Sequence, residues 1–92
     1  MSSEKMVVSG DVTMETVPAM FAQGLQQLSS NDLVVDLSQT HAVDSAAVSM
    51  LLAWQRAAQS GQRALQIENM PEDLLSLAKL YGVEEMLPKQ FA

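Results

Sequence analysis

The feature that most constrains this chain is an apolar run, Leu33-Val34-Val35-Asp36-Leu37, followed by a short loop and then by Asp44-Ser45 at the head of a helical pattern. A continuous apolar run broken by one carboxylate predicts a central strand covered on both faces. From Ala46 to about Ser60 the apolar residues recur at helical spacing, and Gly61 supplies the stop. In an open α/β sheet, functional groups gather beyond the carboxyl ends of the strands. Ser45 stands near such an end.

The rest of the chain repeats this alternation. Residues 1–5 are polar and expected to fray. Met6-Val7-Val8-Ser9 reads as a short strand stopped by Gly10-Asp11. Between Thr16 and Leu28, the residues Val17, Met20, Phe21, Leu25 and Leu28 recur as a helix requires. Thr16 is placed to cap it, with Pro18 inside the first turn. Ser29 to Asp32 is a loop, and Ala64 to Glu68 alternates as a strand. Pro71 opens a further helix carrying Leu74, Leu75, Leu77, Ala78 and Tyr81, closed by Gly82. A last helical turn from Val83 to Leu87 ends at Pro88. Strands alternating with helices of this length imply crossovers and a mostly parallel sheet. The expected class is α/β, a single domain over residues 1–92.

Composition narrows the possible functions. Eleven acidic residues against five basic ones give a net charge of −6. Nucleic-acid binding needs a basic stripe to displace counterions, and adhesion to an anionic membrane needs basic clusters. Neither is present, so no nucleic acid and no direct membrane insertion are expected. With no cysteine there is no disulfide scaffold, thiol nucleophile or cysteine-built zinc site. No apolar run approaches the roughly 18–20 residues that span a bilayer. Met-Ser-Ser-Glu-Lys lacks an apolar signal core, which makes the expected location cytoplasmic.

Turning the second helix by about 100° per residue separates its two sides. Ala47, Leu51, Trp54 and Ala58 fall together toward a core, whereas Ser45, Ser49, Arg56, Gln59 and Ser60 fall toward solvent. Val48 and Leu52 lie close to the polar stripe, and Ala53 borders its other edge. Hydroxyls flanked by partly exposed aliphatics suit a docking surface. The plainer reading is that Asp44 or Ser45 is only an N-cap, contributing roughly 0.5–2 kcal/mol, and that a loop covers Val48 and Leu52.

The strand LVVDLS, a loop and then Asp44-Ser45-Ala46-Ala47-Val48 at a helix start resemble the STAS domains, in which the equivalent segment of the anti-sigma factor antagonists reads Asp-Ser-Ser-Gly-Leu. Leu77-Ala78-Lys79-Leu80-Tyr81, with Leu87-Pro88 after it, is similar to the C-terminal part of the MlaB branch of that family. The resemblance implies a STAS fold and a non-enzymatic domain with no cofactor. It also implies a partner: the ATPase subunit (MlaF-like) of a phospholipid ABC transporter that maintains outer-membrane lipid asymmetry, in complex with permease and lipid-binding subunits. Such a chain would be cytoplasmic and held at the inner membrane through its partner. The docking face would comprise Ser45, Val48, Ser49, Leu52, Arg56 and His41, with Asp44 as the cap. The alternative the family offers is a switch operated by phosphorylation of Ser45. Two positions depart from the family patterns. Ser45 stands where the MlaB pattern has threonine, and Ala47 replaces the glycine of Asp-Ser-Ser-Gly-Leu, which disfavours very close backbone approach there. Many members carry an additional first strand, and this sheet is expected to be one strand smaller.

Other candidates for chemistry are weak. His41 is the sole histidine, which excludes a histidine pair on zinc. It precedes Asp44-Ser45 in what reads as one short loop, an arrangement that rarely gives triad geometry, and no oxyanion-hole glycine loop accompanies it. Glu68, Glu72, Asp73, Glu84 and Glu85 follow no calcium-loop pattern and read as a solvated face. Met14, Met20, Met50, Met70 and Met86 are expected to fill gaps in the core, with Met50 near its edge. Trp54 is expected in the core, opposite Ser45, and Tyr81 at a helix end with its hydroxyl toward solvent.

Overall fold

The computed structural model describes residues 3–87 and 89–91, so Met1, Ser2, Pro88 and Ala92 lie outside the described residues. Its elements are β1 (Ser3–Val12), α1 (Val17–Leu28), β2 (Asp32–Val43), α2 (Ser45–Ser60), β3 (Leu65–Glu68) and α3 (Glu72–Leu80). A 3-10 turn (Glu84–Met86) and a short β4 (Lys89–Phe91) complete the chain. The four strands pair in sequence order and all run parallel. A right-handed crossover that always steps in one direction delivers each helix to the same face of such a sheet. Accordingly α2 packs against α1 on one side and α3 on the other, with β2 and β3 beneath it.

The helices leave the other face of the sheet open. In β2, Leu33, Val35 and Leu37 are buried while Val34 and Asp36 are half-buried, and β3 repeats the alternation. The central strand is therefore covered on one face only, a correction to the two-sided covering its apolar run predicted. The open face is managed with charge. Lys5 Nζ lies 3.1 Å from Glu68 Oε1 and 3.9 Å from Asp36 Oδ2, spanning three strands. Asn69 Nδ2 donates to Asp36 Oδ1 at 2.9 Å. Glu68 thus belongs to a cross-sheet network rather than to a freely solvated face.

Strands β1 and β2 are longer than predicted. Pairing begins at Ser3 opposite Asp32, so Ser3 to Lys5 are held in the sheet, contrary to the fraying expected of residues 1–5. At its other end β1 passes through Gly10, which takes φ +84° instead of ending the strand. Beyond Asp36, two register shifts each insert one extra residue into β2, and the pair continues past β3 to Val12 opposite Val43. The short strand β4 was not anticipated. Three residues beyond a proline carry almost no periodicity to read.

Trp54 is the centre of the core. It is wholly buried, and its indole Nε1 donates to the Phe21 carbonyl of α1 at 3.0 Å. Against it lies Gly24 of α1, where a Cβ would clash with Cε2, Cζ2 and Nε1 of the indole. Leu51, Ala47, Ile67 and Val35 complete the centre, all buried. Two methionines depart from the core role expected of them. Met14 is 74% exposed on the β1–α1 turn and Met86 is 62% exposed on the 3-10 turn. Met50 is buried, whereas Met20 and Met70 pack partly against the core.

Two predictions follow from this packing. Gly24→Ala should destabilise the domain by about 1–3 kcal/mol, the usual cost of overpacking. At an open helix position the same change stabilises by up to about 1 kcal/mol, so the sign of the denaturation midpoint shift identifies the cause. The second concerns acid. The Asn69 amide and the Ser38 backbone N–H hold the Asp36 carboxyl below its ordinary value of 3.8. A lowered folded value contributes stability that is complete above pH 3.8 and is lost as pH falls through the folded value. Asp36→Asn should therefore flatten the acid side of the stability profile while leaving its slope near neutrality unchanged.

Candidate functional site

The start of α2 is built by Asp44. Its extended backbone ends the β2 ribbon, and its carboxylate serves two segments at once. Oδ1 accepts from the Ala46 amide at 2.8 Å, the N-cap bond. Oδ2 accepts from the Met14 amide at 3.1 Å, across thirty residues of sequence. The Asp44 amide in turn donates to the Val12 carbonyl at 3.3 Å. Asp11 mirrors this role, accepting from the Ala42 amide at 3.2 Å and, through its carbonyl, from the Thr16 hydroxyl at 2.8 Å. Thr16 accepts from the Thr13 amide but makes no side-chain cap to α1, so its part is to close the β1–α1 turn. The helix end that presents Ser45 is thus clamped to that turn.

Along α2, Ser45, Ser49, Leu52 and Arg56 share one side at spacings of four, three and four residues. Ser45, Ser49 and Arg56 are exposed and Leu52 is half-buried. The stripe is a ridge between two shallow grooves. One, of about 290 Å³, lies between Leu52, Gln55 and Arg56 of α2 and Glu85, Met86 and Leu87 beyond α3. The other, of about 310 Å³, lies between Val17 and Phe21 of α1 and Ala46, Ser49 and Ala53 of α2.

Two of the predicted site residues lie elsewhere. Val48 is only 3% exposed and belongs to the core, because α1, α3 and the sheet all press on α2 and widen its buried arc. His41 sits on β2, in the segment that pairs with β1 alone, rather than in a loop. It is exposed there. Both carboxylate oxygens of Asp44 accept from backbone amides, so the hydrogen bonds of Asp44 serve the chain around it. Among the described residues no group of histidine and carboxylate side chains is arranged to hold a metal ion. No helix of the described residues is long and apolar enough to cross a membrane. The groove residues Glu85, Met86 and Leu87 were not anticipated; the one signal in the sequence was Leu87, within the C-terminal motif.

The model of the family described as "Mlab, STAS domain" matches residues 2–88. No curated protein matches the chain in sequence. Among solved structures, the anti-sigma factor antagonist SpoIIAA in its unphosphorylated form aligns with a TM-score of 0.73 at 12% identity, over 98% of this chain and 79% of that one. A Thermotoga maritima protein solved as a candidate anti-sigma factor antagonist aligns with a TM-score of 0.82 at 10% identity, over 98% and 80%. At these identities the structural likeness establishes the STAS fold alone.

The clamp at Asp44 has a measurable weight. Asp44→Ala removes the acceptor for two amides and should lower stability by about 1–2 kcal/mol, the upper range for loss of a cap. Hydrogen exchange should show the Ala46 and Met14 amides losing protection together, because one side chain serves both.

Proposed function

The chain belongs to the MlaB-type STAS family, whose members are generally non-catalytic binding domains, and on that premise we propose that it is the STAS subunit of a phospholipid ABC transporter. Its role is to bind the cytoplasmic ATPase subunit and stabilise one of its conformations. The observation that carries this reading is the exposed ridge Ser45-Ser49-Leu52-Arg56, seated between two grooves on a helix whose start is clamped by Asp44. A rigid helix presenting small hydroxyls, one aliphatic and one arginine offers shape and hydrogen bonds with little ordering cost on association. Arg56 supplies the only charge of α2. Arginine is also enriched among the residues that dominate interface energetics. The ATPase is regulated to the extent that the subunit binds one of its states more tightly than another. On this reading the subunit itself hydrolyses nothing.

A second reading rests on Ser45. It is exposed as the first residue of α2, where a phosphate would meet the positive end of the helix dipole yet lie beside Asp44. Such a phosphate would expel a partner without unfolding the domain.

Co-purification of the tagged chain from its native cells separates the two. On the transporter reading an ABC ATPase accompanies the wild type and is lost with Ser45→Asp, while circular dichroism shows the variant folded. Arg56→Ala should weaken the same complex about tenfold, equivalent to about 1.4 kcal/mol. Recovery of a serine kinase or an anti-sigma factor in place of the ATPase would establish the switch and end the transporter assignment.

A further inference from the structure

Strand β1 lies at the edge of the sheet, with β2 on one side and no strand of the described residues on the other. An edge of this length presents a row of backbone donors and acceptors ready to template another strand. Proteins commonly guard such an edge with a charged side chain. Here charge is confined to the two ends of the strand, at Glu4 and Asp11, and the ammonium of Lys5, its third residue, is drawn back across the sheet to Glu68 on β3, so that Met6 to Gly10 carry no charge. Val7 is left 55% exposed on the open face. On the helix face, Met6 and Val8 line a groove of about 270 Å³ whose far wall is Ala19, Met20 and Gln23 of α1.

The surroundings of this edge are unusual for so acidic a chain. From Thr16 to Asn31 there is no charged residue, so the whole of α1, including its exposed Pro18, Ala19, Ala22, Gln23 and Gln26, is neutral. Depletion of charge marks the centres of interfaces. It matters most for self-association. Two copies that each carry −6 repel wherever their carboxylates face one another, and the neutral helix beside an unguarded strand is where they can meet without that cost.

We propose that two copies of this chain associate through β1, paired antiparallel about a two-fold axis at Val7, to form one continuous sheet with both α1 helices on the same face. The register follows from side-chain chemistry. Centring on Lys5 would set the two Lys5 side chains opposite each other, which is destabilising. Centring on Val7 sets Val7 against Val7 on the open face and Met6 against Val8 on the helix face, with Lys5 opposite Ser9 and Glu4 opposite Gly10. Apolar then meets apolar on both faces, and no like charges are opposed. The contact is isologous, the commonest form of closed assembly. It uses the sheet edge and α1, and is independent of the docking ridge on α2.

The absence of cysteine permits a direct test on the full chain. Residues directly opposite in an antiparallel pair have Cα atoms about 4.5–5.5 Å apart, within the span of a disulfide. Val7→Cys should therefore form a disulfide-linked dimer under mild oxidation, whereas Met14→Cys, at an exposed position off the edge, should stay monomeric. Sedimentation of the wild type should show a concentration-dependent dimer. Val7→Glu should abolish it by opposing two carboxylates at the axis, while circular dichroism shows the variant folded because Val7 is exposed. A wild type that remains monomeric at every concentration, with no Val7→Cys cross-link, would overturn the proposal. So would a dimer that survives Val7→Glu, since its contact would lie elsewhere. If the β1 amides gain exchange protection only when a different protein is added, the edge accepts a strand of that partner and the second copy is excluded.

Discussion

The seating of Trp54 against Gly24 is the contact on which the arrangement of the helices depends. A full indole fits between α1 and α2 only because Gly24 has no Cβ, and the Nε1 bond to the Phe21 carbonyl fixes the depth at which it sits. That bond removes the one polar cost of burying tryptophan completely. With Trp54 turned inward, the rotation of α2 is set, and Ala47, Leu51 and Ala58 follow it into the core. The outward position of Ser45, Ser49 and Arg56 is the same fact seen from the other side of the helix. Packing in the core thereby decides which residues the domain can show a partner.

A one-directional strand order has a second consequence. It gathers the helices on one face and leaves a parallel sheet half uncovered, although parallel sheets are usually sandwiched. The molecule answers with a network that crosses three strands, in which the ammonium of Lys5 bridges toward Glu68 and Asp36. The hydrogen bond to Glu68 raises the Lys5 ammonium above its ordinary 10.5, and Asn69 and Ser38 lower the Asp36 carboxyl. These exposed pairs do little for stability individually. Their effect is positional, because the charge of Lys5 is directed over the sheet and the middle of the edge, Met6 to Gly10, carries none. The domain thus has two surfaces of different character: a helical ridge of hydroxyls with one arginine, and a strand edge bordered by an uncharged helix.

Asp44 links architecture to function. In sequence it could be an N-cap, a triad member or an accessory to a phosphorylated serine. In the fold it caps α2 and also anchors the β1–α1 turn through Met14. Each oxygen is held by the amide of a different segment, which fixes the carboxylate between them. Its contribution is to hold the first turn of α2 still, and with it Ser45.

The sequence by itself determined the helices, the centres of the first three strands and the family. The helical spacing of α2, its Asp44 cap and Gly61 stop, and the inward set of Ala47, Leu51, Trp54 and Ala58 are properties of neighbours along one helix, where a 3.6-residue period is enough. The exposed stripe of Ser45, Ser49 and Arg56 was legible for the same reason. Contacts between elements were decided only by the tertiary structure. Val48 reads as borderline on a helical wheel and is buried because α2 has neighbours on three sides. The continuous apolar run in β2 suggests two covered faces, and only the strand order shows that one of them is open. His41 lies on a strand because β1 extends alongside it, Gly24 matters because Trp54 arrives from another helix, and the second bond of Asp44 reaches thirty residues back. Periodicity reports what a residue's own element requires, whereas burial depends on what other elements place against it.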